Sequence, residues 1–178
     1  MIKILCAVFL ALVTDASVAA ESVCSPSEAF GQKFGSGKVV GTVTSRHMNG
    51  VSYTPAEAIP PFHDFDAGIT PRSQKIWSVS GVAQFESAKA SEAYRARLIE
   101  TFKKSLTVTE FVTTRLGVTE IYTGSKGSKD TNSFGETKFY HTDGLKIEIS
   151  MYTDATNLSV KCSDLVLERL HISEVMAR

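Results

Sequence analysis

Two cysteines near opposite ends of the chain, Cys24 and Cys162, constrain it more than any other pair of residues. They stand alone once the leader is set aside. Residues 1–20 read as a secretory signal peptide. Lys3 gives the positive start, Ile4 to Val13 an apolar run of ten, and Val18-Ala19-Ala20 small residues for cleavage before Glu21. That run is too short to cross a hydrocarbon core, which needs roughly 20 helical residues, and no later segment is apolar enough to span. Cys6 leaves with the leader. In an export compartment the remaining even pair is expected to form a disulfide; two free buried thiols, or pairing between chains, are the alternatives. The bond would hold an amino-terminal segment that otherwise frays. Closing so long a loop stabilises by about 5 kcal/mol at most in the chain-entropy treatment.

Removing residues 1–20 takes Lys3 and Asp15 from a total of 19 basic and 19 acidic residues, leaving 18 of each. A neutral chain lacks the basic face that phosphate contacts demand, which argues against a nucleic-acid binder and against a polybasic membrane-surface protein. The 178 − 20 = 158 residues at 21–178 suit a single globular domain.

Along the chain, Ser25 to Gly37 reads as an irregular lead-in and Lys38 to Arg46 as a strand. Asn49-Gly50 then signals a hairpin of the type I′ kind, returning through Val51 to Thr54. The proline-rich run Thr54 to Pro61 is expected to be an extended connection. Strands at Phe65 to Ile69 and Gln74 to Phe85 follow. Alternation in the second puts Trp77, Val79, Gly81 and Ala83 on one face, so Trp77 and Val79 are expected to face the core. Ser87 to Leu106 is the best helix, with Tyr94, Leu98, Phe102 and Leu106 recurring every four residues and Ile99 widening the stripe. Ser87 or Ser91 can cap it.

After the helix the pattern returns to strands, around Thr107 to Arg115 and Gly117 to Gly124. A polar loop (Ser125 to Ser133) follows, then Glu136 to His141 and Leu145 to Tyr152 about an Asp143-Gly144 turn. Asn157 to Cys162 is a last strand, and Asp164 to Met176 a terminal helix. The order predicts an α+β domain: a mainly antiparallel sheet, one long amphipathic helix (about 88–106) packed on a face, a short C-terminal helix and one disulfide. The pattern allows a duplication of strands around the helix without establishing it.

Most enzyme signatures fail. Gly31 to Val39 has the wrong glycine spacing for a phosphate-binding loop and a valine where the magnesium-binding hydroxyl belongs. No nucleophile elbow, H-E-x-x-H or C-x-x-C occurs. The densest polar cluster is IPPFHDFDAG (59–68), in which His63 stands beside Asp64 and Asp66. Strand alternation separates them, placing His63 with Phe65 and both aspartates on the opposite side, so a compact site needs a bulge. His63, Asp64 and Asp66 are therefore only secondary metal candidates, the two carboxylates for calcium. His47 and His141 stand beside turns, where exposed polar residues are ordinary. His171 shares a helical face with Glu168 and Glu174, expected to be solvated. In the loop, Ser125, Lys126, Lys129 and Asp130 are candidate contacts to an anionic partner. Asn157-Leu-Ser159 matches a glycosylation acceptor.

These features predict a periplasmic or secreted, non-enzymatic binding module without a cofactor. It would act on a protein or cell-envelope partner, with inhibition of an enzyme as one concrete form. The alternative is a small hydrolase, metal-dependent or acid/base, whose site is assembled from His63, Asp64, Asp66 and His141.

Overall fold

The structure, a computed structural model, describes residues 23–105, 110–115, 119–121, 128–130, 136–142, 144–151 and 156–177. The leader at 1–20 lies outside them. A short hairpin, β1 (Glu28–Ala29) and β2 (Gln32–Lys33), precedes β3 (Thr42–His47), β4 (Gly50–Thr54), β5 (Phe62–Ile69) and β6 (Ile76–Gln84). Helix α1 (Ala88–Ser105) follows, then β7 (Glu110–Arg115), β8 (Thr119–Ile121), β9 (Ser128–Asp130), β10 (Glu136–Thr142), β11 (Leu145–Met151) and β12 (Asn157–Asp164), and finally α2 (Leu165–Met176).

Eight strands form one sheet in the order β3-β4-β5-β6-β12-β11-β10-β7. Every neighbouring pair is antiparallel. The topology therefore repeats. A four-strand meander leads into α1, a second meander leads into α2, and the two meet at the β6–β12 ladder. The β8–β9 pair is an excursion between β7 and β10. The α+β class, the antiparallel sheet, the long helix and the short terminal helix all stand as the sequence predicts.

One face of the sheet is apolar. Phe65 and Ala67 of β5, Val79 and Ala83 of β6, Val160 of β12 and Ile147 of β11 are all buried there. Leu98, Ile99 and Phe102 of α1 cover it, as their spacing requires. Ser87 caps this helix through its hydroxyl, which accepts from Ala90 N–H at 3.2 Å, whereas Ser91 is buried.

The amino-terminal segment covers the rest and is not irregular. Phe30 and Gly31 form the two-residue β1–β2 turn with φ of 48° and 72°, the left-handed values that such tight hairpins use. Phe30 is driven into the core, edge-on to Phe62 with ring centroids 5.0 Å apart. Its ring occupies the notch left by Gly81, where a Cβ would come within 2.8 Å of it. Gln32 is fully buried and spends its amide on Val40, donating to the carbonyl and accepting from the N–H, each at 2.7 Å. Residues 38–41 are consequently held beside the hairpin rather than in β3. Cys24 and Cys162 are joined by a disulfide with Cα atoms 6.1 Å apart, which ties this segment to β12.

The β3–β4 hairpin forms, but its turn differs from expectation. His47 pairs with Gly50, so the loop residues are Met48 and Asn49, neither with a positive φ. Gly50 instead begins β4, where a Cβ would lie 2.3 Å from the Ala67 carbonyl oxygen. Its smallness serves strand approach.

A second correction concerns Trp77. Gly68 pairs with Ser78 and Ile69 with Ile76, leaving Trp77 as the extra residue of a bulge. Alternation resumes out of phase, so Ile76 and Val79 both enter the core and Trp77 does not. It stacks on His171 of α2 instead, at 4.7 Å between centroids.

Candidate functional site

The face opposite the core is polar and follows one line of register. Ser45, Ser52, Asp66, Ser80, Lys161 and Glu148 are successive partners from β3 across to β11. At the β3 end, three of them connect through side chains. Ser45 Oγ donates to Ser52 Oγ at 3.0 Å, and Ser52 Oγ donates to Asp66 Oδ1 at 2.7 Å. The same oxygen lies 3.5 Å from His47 Nε2. Gly50 makes room for that imidazole, since a Cβ there would be 2.9 Å from His47 Cε1.

His63 is the extra residue of another β5–β6 bulge, which lets Phe62 and Phe65 both point into the core. The separation expected from strict alternation therefore fails for one of the two aspartates. His63 Nε2 lies 3.2 Å from Asp64 Oδ2, both side chains exposed, while Asp66 goes to His47. The cluster divides into two His–Asp pairs. Among the described residues, no group of three or more His, Cys, Asp and Glu is placed to hold a metal. His141 falls in β10, opposite Lys146 of β11 and Glu110 of β7.

The chemistry of the His47 network is limited by where its protons go. An activated serine needs its hydroxyl aimed at the imidazole. Here Ser45 donates to Ser52 and Ser52 to the carboxylate, so neither hydroxyl is presented to His47 as a nucleophile. The network approaches His47 only through Asp66, at 3.5 Å and with both side chains about half exposed.

Beside His47 lies a cleft of about 230 Å³, lined by Arg46, His47, Met48, Gly50, Val51, Ile69, Pro71 and Gln74. No carboxylate lines it. Arg46 has no ion-pair partner among the described residues. Gln74 has φ 54°, and its Nε2 donates to the Pro71 carbonyl at 2.9 Å and the Thr70 carbonyl at 3.3 Å. The turn is secured further by Lys75 N–H donating to Thr70 Oγ1 at 2.8 Å.

The face of α2 expected to be solvated is docked. Asp164 caps the helix by accepting from Val166 and Leu167 N–H, each at 2.9 Å. Glu168 pairs with Lys146 of β11, whose Nζ also lies 3.2 Å from Glu148. Burial alone would lower the Lys146 ammonium, but the two carboxylates outweigh it and hold it above the ordinary lysine value. Glu174 accepts from Arg72 N–H at 2.6 Å and from Ser73 N–H at 3.1 Å. Desolvation opposes its charge, yet the Ser73 hydroxyl, these two N–H groups and the Arg72 guanidinium prevail and keep it below the usual carboxylate range.

Of the predicted loop contacts, Ser125 and Lys126 lie outside the described residues. Lys129 and Asp130 fall in β9, opposite Glu120 and Thr119 of β8. In sequence His47 stands beside a turn as an ordinary exposed polar residue. Its link to Asp66 depends on the β4–β5 register, and the only local hint was the hairpin spacing that sets Ser45 against Ser52. No family model, curated protein or solved structure matches the chain.

Proposed function

We propose that this protein is a non-enzymatic binding module of an exported compartment, periplasmic or extracellular, that engages a protein or envelope partner through its β3 edge. The observation that carries this reading is the state of β3. All six of its residues are exposed, and among the described residues it is paired on one side only, with β4. Exposed apolar side chains flank the edge: Met48 at 81%, Val40 at 52% and Val43 at 36%. A strand edge with unpaired backbone donors and acceptors is a ready template for an added strand. The bulge between Val43 and Ser45 limits indiscriminate edge-to-edge pairing. The disulfide is consistent with an oxidising compartment, and no helix of the described residues is long and apolar enough to cross a membrane.

Site-specific photo-crosslinking in the native envelope tests the reading. A crosslinking residue at Thr44, on β3, is expected to capture one partner reproducibly, while the same residue at exposed Lys89 of α1 captures none. Identical patterns at both positions, or none at Thr44, would overturn the assignment.

A further inference from the structure

We infer that the outward face of α2 docks on an anionic lipid surface, where the protein rests without spanning. The helix is turned inside out relative to an ordinary surface helix, whose apolar stripe faces the core. Leu167 does pack against the core, but the ionisable groups also go inward. Glu168 pairs with Lys146, Glu174 accepts from the N–H groups of Arg72 and Ser73, and His171 stacks on Trp77. Val166, Ile172, Val175 and Met176 are left exposed, Val166 at 70% and Met176 at 83%. Four such side chains on a helix of 12 residues form the kind of apolar patch that marks an interaction surface.

The charges around this face select the occupant. α2 rests against β6 and β12, and two loop segments adjoin it. Gly35 lies beside Leu167. Gly35 N–H donates to the Ile76 carbonyl and Ile76 N–H to the Ser36 carbonyl, each at 2.9 Å, so residues 34–38 run along the start of β6. The 70–75 turn is held by Glu174 and by Arg72, which donates to the Ala177 carbonyl at 2.6 Å. Neither segment contains an acidic residue. Lys38, Lys75 and Arg169 are exposed and have no ion-pair partner among the described residues, whereas Glu168 and Glu174 are already engaged. The zero net charge of the whole chain conceals this local excess. An apolar helix face edged by cations matches an anionic bilayer: the aliphatic side chains enter the acyl boundary while the cations stay at the headgroups. A second copy fits worse, since a two-fold contact would set these cations against one another.

The test is co-sedimentation of the chain at 21–178, which contains every described residue and excludes the apolar run at 4–13, with phosphatidylcholine vesicles and with vesicles that also contain phosphatidylglycerol. The wild type is expected to partition about tenfold more strongly onto the anionic vesicles. K38Q and K75Q are each expected to weaken that partition about fivefold, and I172S/M176S about tenfold. All four side chains are exposed, and unchanged Trp77 emission in each variant verifies that α2 is still docked. The comparison of the two vesicle types on the wild type stands without any variant. Equal partition onto both vesicles, partition onto neither, or undiminished partition of I172S/M176S overturns the inference. So does a lipid-free dimer that I172S/M176S abolishes, with no vesicle uptake, which assigns the face to a second copy. Capture at Thr44 reports on the β3 edge alone, so either surface can fail without the other.

Discussion

Trp77 and His171 lie with ring centroids 4.7 Å apart and planes inclined by 19°, joining the β6 bulge to the middle of α2. Lys161 Nζ stands 5.1 Å from the indole centroid. Neither Trp77 Nε1 nor His171 Nδ1 has a hydrogen-bond partner among the described residues, so ring contact rather than hydrogen bonding fastens them. Trp77 is the sole tryptophan, and its fluorescence therefore reports the docking of α2. His171→Ala is expected to shift its emission to longer wavelength without loss of β-sheet circular dichroism.

The same signal reads the Glu174 latch. A carboxyl held below its ordinary value in the folded state contributes stability above the ordinary carboxylate range and loses it as pH falls through the lowered value. Trp77 emission is accordingly expected to show an acid transition on the low side of that range, and Glu174→Gln to remove it. An unchanged transition in the variant would show that another group governs α2.

Lys146 obeys the opposite sign. Its raised ammonium contributes fully at and below the ordinary lysine value, and the contribution disappears as pH rises through the raised one. Lys146→Met leaves Glu148 and Glu168 facing each other and is expected to cost about 1–3 kcal/mol in urea denaturation at neutral pH. Replacing Glu168 by Met as well is expected to restore part of that loss, because an apolar contact tolerates burial better than an unpaired charge.

Gly81 carries a steric prediction. A methyl group there meets Phe30 at 2.8 Å and Phe62 at 3.1 Å, both inside the packed core. Gly81→Ala is expected to destabilise by about 1–3 kcal/mol, and Phe30→Ala by about 3–5 kcal/mol through the cavity left behind. A denaturant midpoint unchanged in Gly81→Ala would mean that the Phe30 hairpin moves aside at little cost.

The disulfide spans 138 residues of sequence. Replacing both cysteines by serine is expected to lower stability by about 2–5 kcal/mol, read as a fall in the urea midpoint under non-reducing conditions.

The sequence exposes what depends on local periodicity and turn chemistry. The four-residue recurrence from Tyr94 to Phe102 defines α1, and the alternation from Leu145 to Met151 defines β11. The even cysteine pair identifies its own bond. What it conceals is bulging. Trp77 and His63 each stand where one extra residue resets the alternation, so strict alternation places each on the wrong side. A bulge is a property of two paired strands, and a single-strand pattern contains no trace of the partner's register. The Asp66–His47 contact is hidden likewise, since it joins β5 to β3 across the intervening β4.

The β6–β12 ladder has a consequence for how the molecule is assembled. The strand beside β6 at the centre of the sheet is the last of its eight strands to be synthesised. An emerging chain can build its first meander early, but that half must wait with one apolar border bare until residues 157–164 arrive. Cys162 belongs to the same late strand, so neither the sheet nor the covalent loop can close before it arrives. Non-local closure of this kind is slow and leaves intermediates prone to association. A ribosome that has not yet delivered residues 157–164 has therefore delivered no finished part of this protein's centre.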